Sequence, residues 1–164
     1  DDFFSTLFQL SERGIDFDLA ILGKQRPSQP RIFNLAKEKL NQHIVHWGHC
    51  DKREDYLSWL LKSDILPVTS NQDFFGMSTV EAISAGVYPL LPNRLAYPEH
   101  IPTNYHARNL YAKKEELLPL LVDTIKNPPS ENERELLRSF VARYSWENMA
   151  NKYDQISNDL TLGQ

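Results

Sequence analysis

The stretch Ser70-Asn-Gln-Asp73-Phe-Phe-Gly76-Met-Ser-Thr-Val-Glu81-Ala-Ile-Ser-Ala-Gly86 sets two carboxylates, Asp73 and Glu81, on either side of a small-residue turn. Ahead of it, Ser63-Asp-Ile-Leu-Pro-Val-Thr69 reads as a short buried strand. Behind it, Thr79 to Ala85 has helical composition, closed by Gly86 where a helix leaves its last turn. The order is strand, turn, helix. In an α/β sheet such a turn lies outside the carboxyl ends of the strands, where the N–H groups of the first helical turn have no intrahelical partner. Those at Gly76, Met77 and Ser78 suit an anion such as a diphosphate. Asp73 at the end of the loop and Glu81 on the helix suit hydroxyl groups, and a nucleotide-sugar carries both kinds of group.

Working outward, the same alternation runs along the chain. Asp2 to Arg13 places Phe3, Phe4, Leu7, Phe8 and Leu10 at helical spacing, with Gly14 as the stop signal. Asp16 to Leu22 reads as a strand entering a turn at Gly23, and Pro30 to Asn41 as a helix with Ile32, Phe33, Ala36 and Leu40 on one face. His43 to Trp47 is a second strand, and Asp51 with Glu54 three residues on predicts a capping box that starts a helix through Lys62. Further strands are expected at 65–68, 87–91 and 109–111, with helices from Lys113 to Asn127, from a Ser130 and Glu133 cap, and from Ser145. In the last, Trp146, Met149 and Tyr153 share a face, with Trp146 expected as a packing anchor. Repeated strand–helix units with short turns predict an α/β fold, a doubly wound parallel sheet of Rossmann-like type.

Composition narrows the function. At 164 residues the chain is expected to form one domain with a real core. A net charge of -4 argues against a stand-alone polyanion binder. One cysteine, Cys50, excludes an internal disulfide and fits a reducing compartment. With no apolar run long enough for a membrane span and no signal peptide, the expected location is cytoplasmic, away from membranes. Cys50, His46 and His49 are too sparse for a zinc site, so no metal is expected. No Gly-x-Gly-x-x-Gly follows a strand, which disfavours a dehydrogenase.

The pattern Asp-Phe-Phe-Gly-x-x-x-x-Glu-Ala-x-x-x-Gly-x-x-Pro, from Asp73 to Pro89, resembles the donor-site signature of retaining glycosyltransferases of the GT-B fold. In that signature two acidic residues stand eight positions apart around a Phe-Gly turn. Here Asp73 takes the first place, one methylene shorter than the family's usual Glu. The resemblance extends from Asp2 to about Ile156. It implies a carboxy-terminal, donor-binding domain over residues 1–145 and a terminal helix over 146–164 that crosses back to an amino-terminal domain. Gly86-Val-Tyr-Pro-Leu-Leu-Pro-Asn-Arg-Leu-Ala-Tyr-Pro-Glu99, with Phe74 and Phe75, resembles more narrowly the tRNA-queuosine mannosyltransferase branch.

That likeness implies transfer of a hexose, mannose from GDP-mannose, to a hydroxyl, with queuosine in tRNA as the acceptor and the tRNA surface mainly on the amino-terminal domain. No metal cofactor is implied. Expected donor contacts are Asp73, Phe75, Gly76, Met77, Ser78 and Glu81, with Glu81 on the ribose and Asp73 on the hexose. Gly23 and Lys24 follow the first strand where the family brings backbone close to the donor. His49, Cys50 and Asp51 resemble the segment lining the base, and Glu99 matches a position near the donor. Each has a plainer reading: Gly23 as a turn, Asp51 as a helix cap, Glu99 as a solvated loop residue, and Phe74 and Phe75 as anchors plugging the strand end.

In the family, the helix matching Asp2 to Arg13 follows a strand and a loop with an Arg and a Lys for the donor phosphates, and neither is in this sequence. By the family's strand order that strand lies between those at 17–22 and 65–68. The expectation is therefore a gap in mid-sheet, filled by upstream chain, by another copy or by a rearranged edge, and a fragment inactive by itself. The rival functions are a non-catalytic nucleotide-sugar-binding module and a nucleotide-sugar epimerase of the same fold.

Overall fold

The computed structural model describes residues 2–24 and 28–162; the extreme residues of both expected segments, 1, 163 and 164, lie outside them. Helix α1 (Asp2–Glu12) turns its Phe4, Leu7 and Leu10 inward, as the spacing dictates, and leads to strand β1 (Leu19–Ile21). Then come α2 (Arg31–Lys39), β2 (Ile44–Trp47), α3 (Arg53–Lys62), β3 (Ile65–Pro67), α4 (Met77–Ser84) and β4 (Tyr88–Pro92). After two single-turn 3-10 segments at Tyr97–His100 and Thr103–Tyr105 the chain continues through α5 (His106–Asn109), β5 (Leu110–Tyr111), α6 (Lys114–Lys126), α7 (Glu131–Val141) and α8 (Trp146–Leu162).

All strand pairs are parallel, and they form two small sheets: β1 with β2, and β3-β4-β5 in that order. The architecture is Rossmann-like. β4 is the deepest strand, buried at every residue, because it has a partner on each side and helices on its faces. The core gathers Leu10, Leu40, Ile83, Leu90, Leu91, Leu117 and Leu137.

No hydrogen bond joins β1 to β3, and the gap expected between them is present. The Leu19 N–H and the Ile21 carbonyl both bond across to β2, so the polar groups of Ala20 between them point the other way. Between the two open edges lies a cavity of about 730 Å³, lined by Leu7 and Leu10 of α1, Leu19 and Ala20 of β1, Ile65 of β3 and Leu121 of α6.

Three local expectations are corrected. Helix α3 starts at Arg53 with Lys52 as its N-cap and no side-chain cap, so Asp51 does not form the capping box with Glu54. The extended loop through Lys52 enters the helix one residue later than the motif requires, and Glu54 and Asp55 in the first turn offset the helix dipole instead. Helix α4 begins two residues earlier than expected, because Gly76 takes a left-handed φ of 85° that turns the chain directly into Met77. Phe74 and Trp146 are not anchors: they are 105% and 77% exposed.

Candidate functional site

Because the strands are parallel, the loops leaving their carboxyl ends share a rim, and the turn from Asp73 to Ser78 sits on it. Asp73 builds this turn. Its Oδ1 accepts the Gly76 N–H at 2.8 Å and the Phe75 N–H at 3.3 Å, and its Oδ2 accepts the Tyr97 hydroxyl at 2.9 Å. An aspartate is short enough to fold back on its own following amides in this way. Partial burial pushes the Asp73 carboxyl up, but the Tyr97 hydroxyl and the amides outweigh it and hold the group below its ordinary value.

Beneath the turn lies His100, wholly buried, whose Nε2 meets the Phe75 carbonyl. The carbonyl can only accept, so Nε2 carries the proton and Nδ1 is the bare nitrogen. That Nδ1 is buried without a partner among the described residues. Phe75 packs edge-on against His100 and Tyr144, at ring separations of 5.0 Å in both cases. Arg94, given no role by the sequence, braces the approach to the turn by donating to the Ser70 carbonyl at 3.0 and 3.1 Å.

The turn so held presents its amides. That of Gly76 is engaged by Asp73, a difference from the expected set. Those of Met77 and Ser78 have no hydrogen-bond partner among the described residues, and both residues are exposed. One turn further along α4, Glu81 receives the Tyr56 hydroxyl on Oε2 at 3.1 Å and the Arg53 guanidinium on Oε1 at 3.3 Å. This contact brings the start of α3 to the same rim as α4. Beside it a groove of about 390 Å³ runs between α3, α4 and residues 141–145, with Arg53 and Glu81 at its edge.

The other expected contacts lie on further loops that follow the carboxyl ends of β1, β2 and β4. Gly23 and Lys24 are exposed at the end of β1, and His49 and Asp51 are exposed in the loop after β2. Cys50 Sγ lies 3.7 Å from His46 Nε2, an internal contact. Glu99 is exposed in the 3-10 turn, and its backbone carbonyl accepts from Arg143 and Tyr144. No cluster of three or more metal-ligating side chains occurs among the described residues, and no helix there is long and apolar enough to cross a membrane.

Tyr56 and His100 belong to no motif, and Arg94 and Tyr97 lie in the Gly86–Glu99 stretch with no role assigned from it. Each acts across 24 or 25 positions of sequence, a separation that no local spacing rule covers.

Comparison with known proteins follows the same lines. The profile of the family described as Glycosyl transferases group 1 matches residues 2–139. The chain is 41% identical over 111 residues to a tRNA-queuosine alpha-mannosyltransferase of Drosophila melanogaster, a match that covers 66% of this chain and 29% of that protein. It therefore spans less than a third of that relative's length. Its fold is similar to the crystal structure of the C-terminal domain of a glycosyl transferase group 1 family protein, LpcC, from Francisella tularensis. There the TM-score is 0.62 at 18% identity, over 93% of this chain and 77% of that one.

Proposed function

The chain belongs to the glycosyl transferases group 1 family, and from that premise we propose that it is the donor-binding half of a retaining hexosyltransferase that takes mannose from GDP-mannose and passes it to queuosine in tRNA. The observation that carries the reading is the pair of amides at Met77 and Ser78, unpartnered among the described residues and set between Asp73 and Glu81 on one rim. The choice of mannose and of queuosine is supported by the 41% identity to a protein of that name.

In this reading the donor diphosphate lies over the start of α4. As the glycosidic bond breaks, charge builds on the leaving diphosphate, so fixed N–H groups aimed at it stabilise the transition state more than the ground state. Glu81 holds the ribose hydroxyls. A carboxylate has about four acceptor positions; Asp73 uses three on its own turn and Tyr97, which leaves one for a hexose hydroxyl. Neither carboxylate acts as general acid or base. The acceptor site and the tRNA surface belong to an amino-terminal domain of the whole protein, and further cations for the phosphates to the strand and loop that precede α1 in the family. The exposed Trp146 and Tyr153 of α8 are the face that segment 146–164 offers to that domain, while residues 1–145 form the donor domain. No metal takes part, and the chain alone is inactive.

Incubating the full-length protein with GDP-mannose and queuosine-containing tRNA tests the proposal. Mannosylated tRNA is the expected product. A changed sugar-nucleotide with unmodified tRNA would identify an epimerase, and tight GDP-mannose binding with neither product would identify a binding module.

A further inference from the structure

Glu81 is gripped from α3 by two groups that differ in how firmly they are themselves held. The Tyr56 ring packs with Leu60, Ala82 and Val87 in a small cluster between α3 and α4, which fixes its hydroxyl relative to both helices. Arg53 is 68% exposed at its side chain, and an ion pair on so free an arm is screened and entropically costly. The two oxygens of Glu81 thus have unequal partners: a rigid donor at 3.1 Å on Oε2 and a mobile cation at 3.3 Å on Oε1. Burial first, then the charge and hydrogen bond of Glu81, push the Tyr56 hydroxyl up to about 12, so it remains a donor at any physiological pH.

We propose that Tyr56 is a positioning residue that locks the Glu81 carboxylate in one orientation, and that this lock sets the site's selectivity for a donor with intact ribose hydroxyls. The inference rests on the reading of Glu81 as the ribose-binding group. With one acceptor position taken by Tyr56 and one by Arg53, a carboxylate keeps about two. Those two match the two neighbouring hydroxyls of a ribose only while the carboxylate plane is fixed. Arg53 is displaceable by a ligand hydroxyl; Tyr56 is not.

The test is calorimetry on the full-length protein with GDP and with 2′,3′-dideoxy-GDP. Wild type binds GDP more tightly than the dideoxy compound. Tyr56→Phe weakens GDP binding on the order of tenfold, the usual effect of losing a hydrogen bond to a charged group, and leaves dideoxy-GDP unchanged. Arg53→Ala changes either affinity by no more than about twofold. Tyr56→Phe in a Glu81→Gln background adds nothing, since the two act as one unit. Glu81→Asp, which keeps the charge but withdraws it from the Tyr56 hydroxyl, removes the preference for GDP as well and stands in should Tyr56→Phe fold poorly. Equal losses for both ligands, or additive losses in the double variant, would overturn the positioning role while leaving the ribose reading intact. A wild type indifferent to the hydroxyls, or blind to GDP, would sink the ribose reading and this inference with it.

Discussion

At Gly76 the backbone takes a φ of 85°, and a Cβ there would stand 3.1 Å from Tyr97 Cε1 and 3.4 Å from His100 Nε2. Glycine is therefore required twice, by the left-handed conformation and by the two side chains behind it. The Phe-Gly of the sequence marks this turn, but nothing local to it says that a histidine lies underneath. Burial holds the His100 imidazole below its ordinary 6.5, and protonation would also leave an Nδ1–H without an acceptor. The sign follows: below pH 6.5 the unfolded chain takes up a proton that the folded chain refuses. The stabilisation is complete above that pH and is lost as pH falls towards the depressed folded value. Urea unfolding between pH 7.5 and 5, values of about the histidine range, should show the midpoint falling more steeply for wild type than for His100→Gln. Parallel curves would refute the buried neutral histidine.

Two helix starts with the same sequence signature behave differently. At α7 the capping box forms: the Glu133 N–H donates to Ser130 Oγ at 3.3 Å, and Glu133 Oε2 accepts the Ser130 N–H at 2.8 Å. The Ser130 amide chiefly, with Arg108 contributing, holds the Glu133 carboxyl below its ordinary value. Helix α7 then clips the molecule together, since Arg134 donates to the carbonyls of Asp64 at 3.0 Å and Gly86 at 2.8 Å. Ser130→Ala should cost about 1 kcal/mol, read as a melting temperature lower by roughly 2–4 °C. Asp51→Ala at the start of α3 should leave the melting temperature unchanged, because Asp51 caps nothing there. An equal loss in both variants would contradict the assignment. Ser130 follows two prolines that stop the chain just before the cap, whereas Asp51 follows a loop whose path is set by its neighbours. The motif by itself is insufficient for a cap.

At the scale of the molecule, the sheet is split along the slot between β1 and β3. Open strand edges are templates for pairing. Pro67, on β3, has no N–H to offer a partner, but Ala20 and Ile65 present unpaired amides. Hydrogen exchange should therefore find Ala20 and Ile65 poorly protected in this chain by itself compared with Leu90 and Leu91 of β4. Where a further strand fills the slot, from upstream chain or from another copy, the same two amides should become protected. Protection equal to that of β4 in the chain alone would show the slot to be closed. The sequence by itself determined the strand–helix alternation, the place of the anion-binding turn and the two carboxylates around it. Those depend on side-chain periodicity and on glycine, which act over a few residues. Only the tertiary structure decided that Asp73 folds onto its own turn under Tyr97, that His100 supports it, that Tyr56 grips Glu81, and that Phe74 and Trp146 face outward. Those depend on which distant segments meet, and burial and hydrogen-bond partnership are properties of that meeting.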